Sequence, residues 1–444
     1  MQISFTRSLL LRAALALGVV FLCATTAVAE PVFPDMAALG AALFSDTNLS
    51  KNRTQSCASC HNPELAFTDP LETKAGRAVS LGDDGVSLGD RNTPTAAYAK
   101  FSPKFHKNKE GKYVGGLFLD GREPDLAGQA GGPPLNPIEM GMPDKATVVA
   151  RLNENPDYVQ GFKAFFGADV FDDVDRLYAA MTESLAAFEN TAEFAPFDSK
   201  YCRFLRGEVK LTEQEELGRI LFFSQQFTNC DLCHRLSKSP MSKRETFSNY
   251  QYHNIGVPEN KTARAAKGSK PGRVDNGLLD NPAVDDPSEA GKFKVPTLRN
   301  VAVTGPYMHN GVFKDLRTTV KFYNKYNAKG AKAQINPETG KPWNPPEVPG
   351  TLSMKELEHG PALDDKRIDA LVAFMKTLTD KRTSTFCSRT AFRPSTLYKR
   401  RYFRIFRAFM PGNVGLRLCF ASPRRRVSGS DYWVNIIRLT WSHK

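Results

Sequence analysis

Apolar residues recur at helical spacing in two long segments of the chain and predict two amphipathic helices. In residues 173–189 and 365–378 they fall three or four positions apart, which places them on one face of a helix. Two shorter segments, 39–44 and 217–222, share the pattern Leu-Gly-x-x-Leu-Phe and also predict helices. A capping box at residues 212–215 precedes the second of them. Strand-like alternation is scarce, so the pattern predicts a mainly α protein.

A Cys-x-x-Cys-His motif follows each of the two Leu-Gly segments. Residues 57–61 read Cys-Ala-Ser-Cys-His, and residues 230–234 read Cys-Asp-Leu-Cys-His. This spacing is the attachment signature of c-type haem, in which the cysteines form thioethers and the histidine binds iron. A thioredoxin-like pair needs no adjacent histidine, and a zinc site would need further Cys or His pairs. The motifs predict two covalent haems held by Cys57, Cys60, His61, Cys230, Cys233 and His234.

Recurrence of the same helix and motif predicts two similar cytochrome c-like domains. We place them at residues 30–200 and 201–380, with haem replacing much of the usual core. Long glycine- and proline-rich loops, notably 128–143 and 261–288, connect the helices. Cys202 belongs to neither motif and is predicted to be a lone thiol, either packed or exposed, rather than a ligand.

The positive charge of the chain is confined to its C-terminal end. The formal net charge is +13, and residues 381–444 alone carry +14, which leaves −1 for residues 1–380. A nucleic-acid-binding body is therefore excluded. Two interpretations of residues 381–444 stay open. One is a basic arm for anionic lipid or nucleic acid, and the other, favoured by the abrupt change in composition, is a frameshifted translation.

Residues 1–29 have the three parts of a secretory signal peptide. Arg7 and Arg12 precede an apolar run at 13–24, and residues 27–29 read Ala-Val-Ala, a small-residue cleavage site. The apolar run is too short to span a bilayer, and no other apolar stretch is long enough to do so. We therefore expect an exported, periplasmic protein without a membrane span.

Several segments of the body, together with the haem motifs, resemble one enzyme family. They are Arg-Asn-Thr-Pro at 91–94, Asp-Gly-Arg at 120–122, residues 129–140, residues 294–300, and Pro-Tyr-Met-His-Asn-Gly at 306–311. Residues 33–380 thus resemble the bacterial di-haem cytochrome c peroxidase family, and within it the MauG-type branch. The resemblance implies two cytochrome c-like haem domains packed around an inter-domain interface. It also implies that peroxide reacts at the N-terminal haem and that the C-terminal haem passes electrons.

The resemblance assigns residues to the catalytic side of the first haem. Glu139 matches the family's acid–base residue, and Gln129 and Pro133 match its other distal-pocket residues. A carboxylate there can move a proton between the two oxygens of a bound peroxide. Where some members carry a distal histidine, this chain has Arg77, which does not ligate iron. Arg77 is either a distal residue or a solvated loop residue, and in both cases the first haem is expected to be open.

Tyr323 stands where the resemblance places the sixth ligand of the second haem, a methionine in other peroxidases of the family. A phenolate favours ferric iron, whereas a thioether raises the reduction potential. In the alternative interpretation Tyr323 is a core aromatic residue, and Tyr326 or Met308 is the ligand. His253 and His309 are candidates for hydrogen bonds to haem propionates, or ordinary structural histidines.

Two further expectations come from the resemblance. Asn92, Thr304 and Pro306 match the positions that hold a calcium ion between the haems, and an amide oxygen with two carbonyl oxygens suits that ion. The family commonly has a tryptophan just before Asp-Gly-Arg as a station for electron hopping. Here Leu119 takes its place, and an aliphatic side chain cannot be oxidised reversibly, so hopping through this position is in doubt.

Three functional hypotheses follow. The leading one is a periplasmic di-haem peroxidase that reduces hydrogen peroxide with electrons from a small cytochrome c or cupredoxin. The alternative is MauG-type, peroxide-dependent oxidation of a protein or organic substrate. A di-haem electron-transfer cytochrome is the hypothesis of another class, and it is disfavoured because an electron carrier gains nothing from an open iron beside Glu139. A homodimer is left open.

Overall fold

The computed structural model of the chain describes residues 31–236, 245–358 and 360–381. All of these residues belong to one compact unit. The signal peptide expected at 1–29 and nearly all of the basic segment 381–444 lie outside the described residues. Within the described part of the chain, no helix is long and apolar enough to cross a membrane.

Helices dominate the described part of the chain, which confirms the mainly α prediction. They are α1 (Met36–Phe44), α2 (Cys57–Cys60), α3 (Leu126–Ala130), α4 (Gly132–Leu135), α5 (Lys145–Asn153), α6 (Pro156–Phe166), α7 (Val174–Glu189), α8 (Lys200–Leu205), α9 (Glu213–Phe223), α10 (Cys230–Cys233), α11 (Lys261–Lys267), α12 (Leu316–Asn324), α13 (Met354–Leu357) and α14 (Asp365–Lys376). Short 3₁₀ turns cover Thr47–Leu49, Pro63–Leu65, Ala99–Phe101, Val170–Asp172, Leu278–Asp280, Pro287–Glu289 and Ala331–Gln334.

Strands are confined, among the described residues, to three antiparallel pairs of two residues each. The strands are β1 (His106–Lys107), β2 (Tyr113–Val114), β3 (Tyr252–His253), β4 (Phe293–Lys294), β5 (Ile335–Asn336) and β6 (Lys341–Pro342), paired in chain order. In the middle pair His253 stands opposite Phe293. These ladders are too short to form a core, so they only connect neighbouring loops by hydrogen bonds.

Helix α1 packs closely against α7 because Gly40 has no side chain. A Cβ at Gly40 would overlap the carbonyl oxygen of Ser184 in α7. Asp35 caps α1 by accepting a hydrogen bond of 2.8 Å from the amide of Ala38, and Asp173 caps α7. The helix predicted at 173–189 is confirmed with its apolar face in the core.

Helices α9 and α14 form a second pair built in the same way. A Cβ at Gly218 would overlap the carbonyl oxygen of Ala370. The predicted capping box is confirmed, since the amide of Glu215 donates to Thr212 Oγ1 at 3.3 Å and the amide of Thr212 donates to Glu215 Oε2 at 2.7 Å. The recurrence of Leu-Gly segments therefore corresponds to two closely packed helix pairs.

Two hydrophobic clusters lie on either side of the predicted domain boundary. One is built from buried residues between 39 and 195, and the other from buried residues between 201 and 378. Cys57 packs against the first cluster and Cys230 against the second. Each haem motif therefore adjoins its own apolar core, and the boundary itself stays a prediction.

Candidate functional site

The first motif occupies α2 and the residue that follows it. His61 Nδ1 lies 3.0 Å from the carbonyl oxygen of Phe67. Phe67 has a φ of 58°, which is a left-handed backbone conformation. It lies in a turn that directs the Phe67 carbonyl oxygen towards the ring of His61. A carbonyl can only accept, so Nδ1 must carry the proton. The other ring nitrogen, Nε2, therefore has the lone pair that an iron ligand needs.

The second motif, in α10, is supported in the same way. His234 Nδ1 lies 2.9 Å from the carbonyl oxygen of Phe247, whose φ is 59°. Burial lowers the pKa of His61 and lowers that of His234 to about 4. Both imidazoles are therefore neutral near pH 7, as metal ligands must be.

One cavity of about 720 Å³ contains both motifs. Its walls include all the residues assigned to the site from sequence, which are Cys57, Cys60, His61, Asn92, Gln129, Pro133, Glu139, Cys230, Cys233, His234, Thr304, Pro306 and Tyr323. Burial raises the pKa of Cys57 and Cys60 to about 12, so their thiols are protonated near pH 7. The structure thus brings together, around one apolar space, side chains that are far apart in the sequence.

Two buried histidines in this cavity favour a polar occupant. Nε2 of His253 and Nε2 of His309 have no hydrogen-bond partner among the described residues. Burial lowers their pKa to about 4 and about 3, and the His309 ring stacks on Phe293 with centroids 3.6 Å apart. Buried polar atoms rarely go without a partner. Haem fits the site, because His61 and His234 would each hold the iron of one haem, and His253 and His309 could donate to haem propionates.

Glu139 lines the part of the cavity nearest the first motif. Asn136 Nδ2 donates to Glu139 Oε1 at 3.0 Å, and the Glu139 carbonyl accepts from the amide of Asp83 at 2.7 Å. Burial raises the pKa of the Glu139 carboxyl, and the charge of Arg122 opposes this rise. Cys57 lies close enough for the charge of Glu139 to affect its pKa. Glu139 is therefore a fixed, half-buried carboxyl beside the first haem motif.

Arg77 lies outside the residues that line the cavity. Its guanidinium donates to the carbonyl oxygen of Asp69, from Nη2 at 2.8 Å. This geometry favours the loop interpretation over the distal one.

Leu119, in contrast, lines the cavity, and its carbonyl accepts a hydrogen bond of 2.9 Å from the amide of Lys294.

Tyr323 lies in α12 and lines the cavity beside the second motif. It is close enough to Cys233 and Cys230 for their charges to raise its pKa, although burial is the larger cause. Tyr326 does not line the cavity, and its hydroxyl donates to the carbonyl of Ile255 at 3.0 Å. Met308 does line the cavity. Of the three candidate ligands, Tyr323 and Met308 are the two that face the haem space.

The three residues matched to a calcium site also line the cavity. Asn92 Nδ2 donates to the carbonyl oxygen of Ala78 at 3.0 Å, which leaves Oδ1 of the amide for a cation. Among the described residues, no cluster of three or more His, Cys, Asp or Glu side chains is arranged to hold a metal ion. A cation here would therefore depend on the amide and on the carbonyls of Thr304 and Pro306, and calcium stays a prediction.

The sequence reasoning missed two sets of residues in and around the cavity. Glu189 is a buried carboxyl near Cys57, and burial raises its pKa to about 8. It stands one helical turn beyond Leu185 on the apolar face of α7, a pattern that could have revealed it. Arg91, noted only as part of a motif, bridges Asp120 and Asp275 with N···O distances of 2.6 Å each.

Comparisons with known proteins identify the family to which the chain is similar. Residues 34–210 match the profile of the family described as di-haem cytochrome c peroxidase. The chain is 58% identical to the methylamine utilization protein MauG of Paracoccus denitrificans, over 81% of this chain and 92% of that protein. It is 29% identical to the cytochrome c551 peroxidase of Nitrosomonas europaea, over 82% of this chain and 89% of that protein.

Solved structures show the same similarity. The dihaem peroxidase BthA of Burkholderia thailandensis matches with a TM-score of 0.70 and 33% identity, covering 79% of this chain and 87% of that chain. A MauG-like protein associated with microbial copper homeostasis matches with a TM-score of 0.58 and 30% identity, covering 81% and 94%. The chain therefore belongs to the di-haem cytochrome c peroxidase family and is an oxidoreductase, and this family implies two haem c groups, a peroxide substrate and a redox-protein partner.

Proposed function

We propose that the chain uses hydrogen peroxide to oxidise a protein or organic substrate in the periplasm, as a MauG-type enzyme. The observation that carries this proposal is Tyr323 in the haem cavity beside the second motif, where other family members have methionine. The 58% identity to a methylamine utilization protein supports the same branch and suggests that the substrate belongs to that process.

Glu139 is proposed to handle the protons of the peroxide. The haem held by Cys57, Cys60 and His61 supplies an iron that binds peroxide and accepts its oxidising equivalents. The Glu139 carboxylate accepts a proton from one peroxide oxygen and returns it to the other, which leaves as water. The hydrogen bond of 3.0 Å from Asn136 holds the carboxyl in place for both steps. Gln129 and Pro133 restrict the space in which peroxide can bind.

Tyr323 is proposed to ligate the second haem as a phenolate. Burial keeps the free phenol protonated by raising its pKa, but a ferric ion favours the anionic form of a coordinated ligand. Anionic oxygen stabilises Fe(III) and lowers the reduction potential relative to a thioether. Such a haem is a poor acceptor from an ordinary cytochrome c and a better store of oxidising equivalents, which suits substrate oxidation.

Two supporting roles belong to the same proposal. His253 and His309 donate from Nε2 to haem propionates, since neither nitrogen has a partner among the described residues. Asn92, Thr304 and Pro306 hold a calcium ion that fixes the loops of the two halves around the cavity.

A second candidate function is the reduction of hydrogen peroxide with electrons from a small cytochrome c or cupredoxin. Met308 favours it, because this residue lines the same cavity and could supply a thioether ligand. The 29% identity to a cytochrome c551 peroxidase supports it as well.

The absorption spectrum and equilibrium potential of the second haem distinguish the two functions. With Tyr323 as ligand, the ferric holoenzyme lacks the long-wavelength band of a Met–haem bond, and Tyr323→Met raises the potential. Tyr326→Phe is the matched control, because Tyr326 lies outside the cavity wall and its loss should leave the spectrum unchanged. A His/Met spectrum in the unaltered protein would reject the Tyr323 ligand and favour the peroxidase with Met308.

A further inference from the structure

A buried tyrosine–carboxylate pair lies at the edge of the haem cavity. The Tyr98 hydroxyl donates to Asp380 Oδ2 at 2.7 Å, and the two residues are each 1% exposed. The Tyr98 hydroxyl oxygen also accepts from the amide of Phe197 at 3.1 Å. Asn300 Nδ2 donates to the same Asp380 oxygen at 2.9 Å. The phenol and its carboxylate acceptor are therefore fixed relative to each other, while Tyr98 also forms part of the cavity wall.

On one side, Tyr98 connects to the residues that orient the first haem ligand. The carbonyl of Phe67 accepts from both His61 Nδ1 at 3.0 Å and the amide of Ala96 at 3.2 Å. The amide of Tyr98 donates to the carbonyl of Phe194 at 2.9 Å, and the Phe194 ring stacks on Phe67 with centroids 4.1 Å apart. Tyr98 is therefore connected through Phe194 to Phe67, the residue whose carbonyl orients His61.

On the other side, Tyr98 connects to the support of the second haem ligand through Arg299. The guanidinium carbon of Arg299 lies 5.8 Å from the centroid of the Tyr98 ring and 5.0 Å from that of Phe247. The carbonyl of Phe247 is the group that accepts from His234 Nδ1. A continuous set of contacts that includes Tyr98 therefore connects Phe67 with Phe247. The carbonyls of these two residues orient the two motif histidines.

These contacts offer a route for electron transfer between the two haem sites. Such a route is needed because the position at which the family commonly has an oxidisable side chain lacks one here. Leu119 lines the cavity where other members of the family place tryptophan, and an aliphatic group cannot accept a hole reversibly. We propose that Tyr98 is a redox-active relay residue between the two haem sites, with Asp380 as its proton acceptor. The inference rests on the proposed function, because the oxidant is the first haem after its reaction with hydrogen peroxide.

The relay step is balanced in electrons and protons. A haem held by Cys57, Cys60 and His61 would reduce peroxide to water and so supply the oxidant. Tyr98 loses one electron to that haem while its O–H bond breaks and the proton passes to Asp380 Oδ2. The neutral phenoxyl radical then takes one electron from the second haem, and Asp380 returns the proton. The net result is transfer of one electron from the second haem to the first, with Tyr98 and Asp380 unchanged.

The chemistry of the pair suits this step. A phenol that loses an electron becomes strongly acidic, so rapid oxidation needs a proton acceptor already in contact. Burial raises the pKa of Tyr98 and keeps it a neutral phenol, and burial also raises the pKa of Asp380, which strengthens it as a base. The hydroxyls of Tyr178 and Tyr252, in contrast, donate to backbone carbonyls, which cannot keep a proton.

Freeze-quench EPR with parallel optical spectra tests the relay in the two-haem holoenzyme mixed with hydrogen peroxide. We expect a tyrosyl radical whose hyperfine pattern changes when the protein is grown with ring-deuterated tyrosine. The signal should be lost in Tyr98→Phe and strongly reduced in Asp380→Asn. It should persist in the control Tyr178→Phe, because the Tyr178 hydroxyl donates to a backbone carbonyl, although Tyr178 is also buried and close to Cys57.

The outcomes separate the relay from the proposed function. Peroxide-induced haem spectral changes without a tyrosyl signal, or with a signal that survives in Tyr98→Phe, would overturn the relay and leave the function intact. If the haem spectra do not respond to peroxide, the proposed function fails and the relay fails with it. Should Tyr98→Phe not retain both haems, Asp380→Asn decides the question, since an undiminished signal in that variant contradicts the role of Asp380.

Discussion

Glu139 combines two properties that an acid–base residue needs, partial burial and a fixed position. We predict that Glu139→Gln keeps both haems and their spectra but loses peroxide turnover by about 10²–10⁴-fold, because glutamine cannot exchange a proton. The neighbouring Asn136 can still donate to the amide oxygen, so the loop should keep its conformation. Steady-state turnover with hydrogen peroxide measures the loss.

The pH dependence of the same reaction provides an independent check. Burial raises the pKa of Glu139 above its ordinary value of 4.5, and only the ionised carboxylate can accept the first proton. Turnover should therefore fall as pH drops through the raised pKa, and this acid limb should be missing in Glu139→Gln. Glu64→Gln, an exposed acid close to the first motif, is the control and should keep both rate and profile. An unchanged rate in Glu139→Gln would make Glu139 a structural residue.

Residues of the site differ in how far sequence could predict them. The cysteines and histidines of the two motifs follow from local spacing, and Glu139 and Tyr323 follow from a family pattern. The Tyr98–Asp380 hydrogen bond joins residues 282 positions apart, and neither residue carries a local pattern. Long-range polar pairs of this kind are fixed by the packing of loops, which periodicity does not describe.

At the scale of elements, each half of the chain depends on a helix crossing at a glycine. We predict that Gly218→Ala destabilises the protein by about 1–3 kcal/mol, because the added Cβ meets the backbone carbonyl of Ala370 and forces α9 away from α14. The higher helix propensity of alanine, about 1 kcal/mol, offsets part of this cost. Denaturant unfolding followed by circular dichroism measures the change.

Gly330→Ala is the matched control for this helix crossing. A Cβ at Gly330 meets nothing within 4 Å, and its backbone is not in the left-handed region. The same substitution there should leave stability nearly unchanged. Equal stability of Gly218→Ala and the unaltered protein would show that the two helices can separate at little cost, and that the glycine is not required for their packing.

The helices were predictable and the turns around the motifs were not. Apolar periodicity and the capping box at Thr212 identify α7, α9 and α14 because these signals are local. The carbonyls that orient the haem ligands belong to Phe67 and Phe247, in left-handed conformations that phenylalanine rarely adopts. Tertiary packing imposes these conformations, so sequence preferences point away from them.

At the scale of the whole molecule, one cavity joins the two halves that the sequence describes as separate domains. Recurrence of the motif predicted two haem sites, but it did not predict that their walls are shared. Arg91, in the first half, contacts Asp275 in the second half at 2.6 Å and Asp120 at the same distance. Asn281 Nδ2 donates to the Asp120 carbonyl at 3.0 Å and adds a second link. Polar contacts, in addition to the two apolar cores, therefore connect the two halves.

The ion pair of Arg91 with Asp275 connects the two halves of the chain, and its contribution to the free energy of unfolding depends on pH. Burial would raise the pKa of Asp275, but hydrogen bonds and charge from Arg91 outweigh it and lower the pKa to about 2. The ordinary value is 3.8, so the folded state gains about 2 kcal/mol that is fully present above pH 4 and is lost as pH falls towards 2. We predict that Asp275→Asn lowers the free energy of unfolding by about that amount at pH 7.

The difference between Asp275→Asn and the unaltered protein should shrink as the pH falls. As the pH falls from 4 towards 2, Asp275 becomes increasingly protonated in the unaltered protein, so the ionic contribution decreases and the two stabilities converge. Asp175→Asn, which removes an exposed ion pair with Lys145, is the control and should cost little at any pH. Denaturant unfolding at pH 7 and pH 3 measures all three proteins. A loss in Asp275→Asn that is equal at both pH values would contradict the ionic link, since a purely steric defect has no reason to diminish when the carboxylate is neutralised.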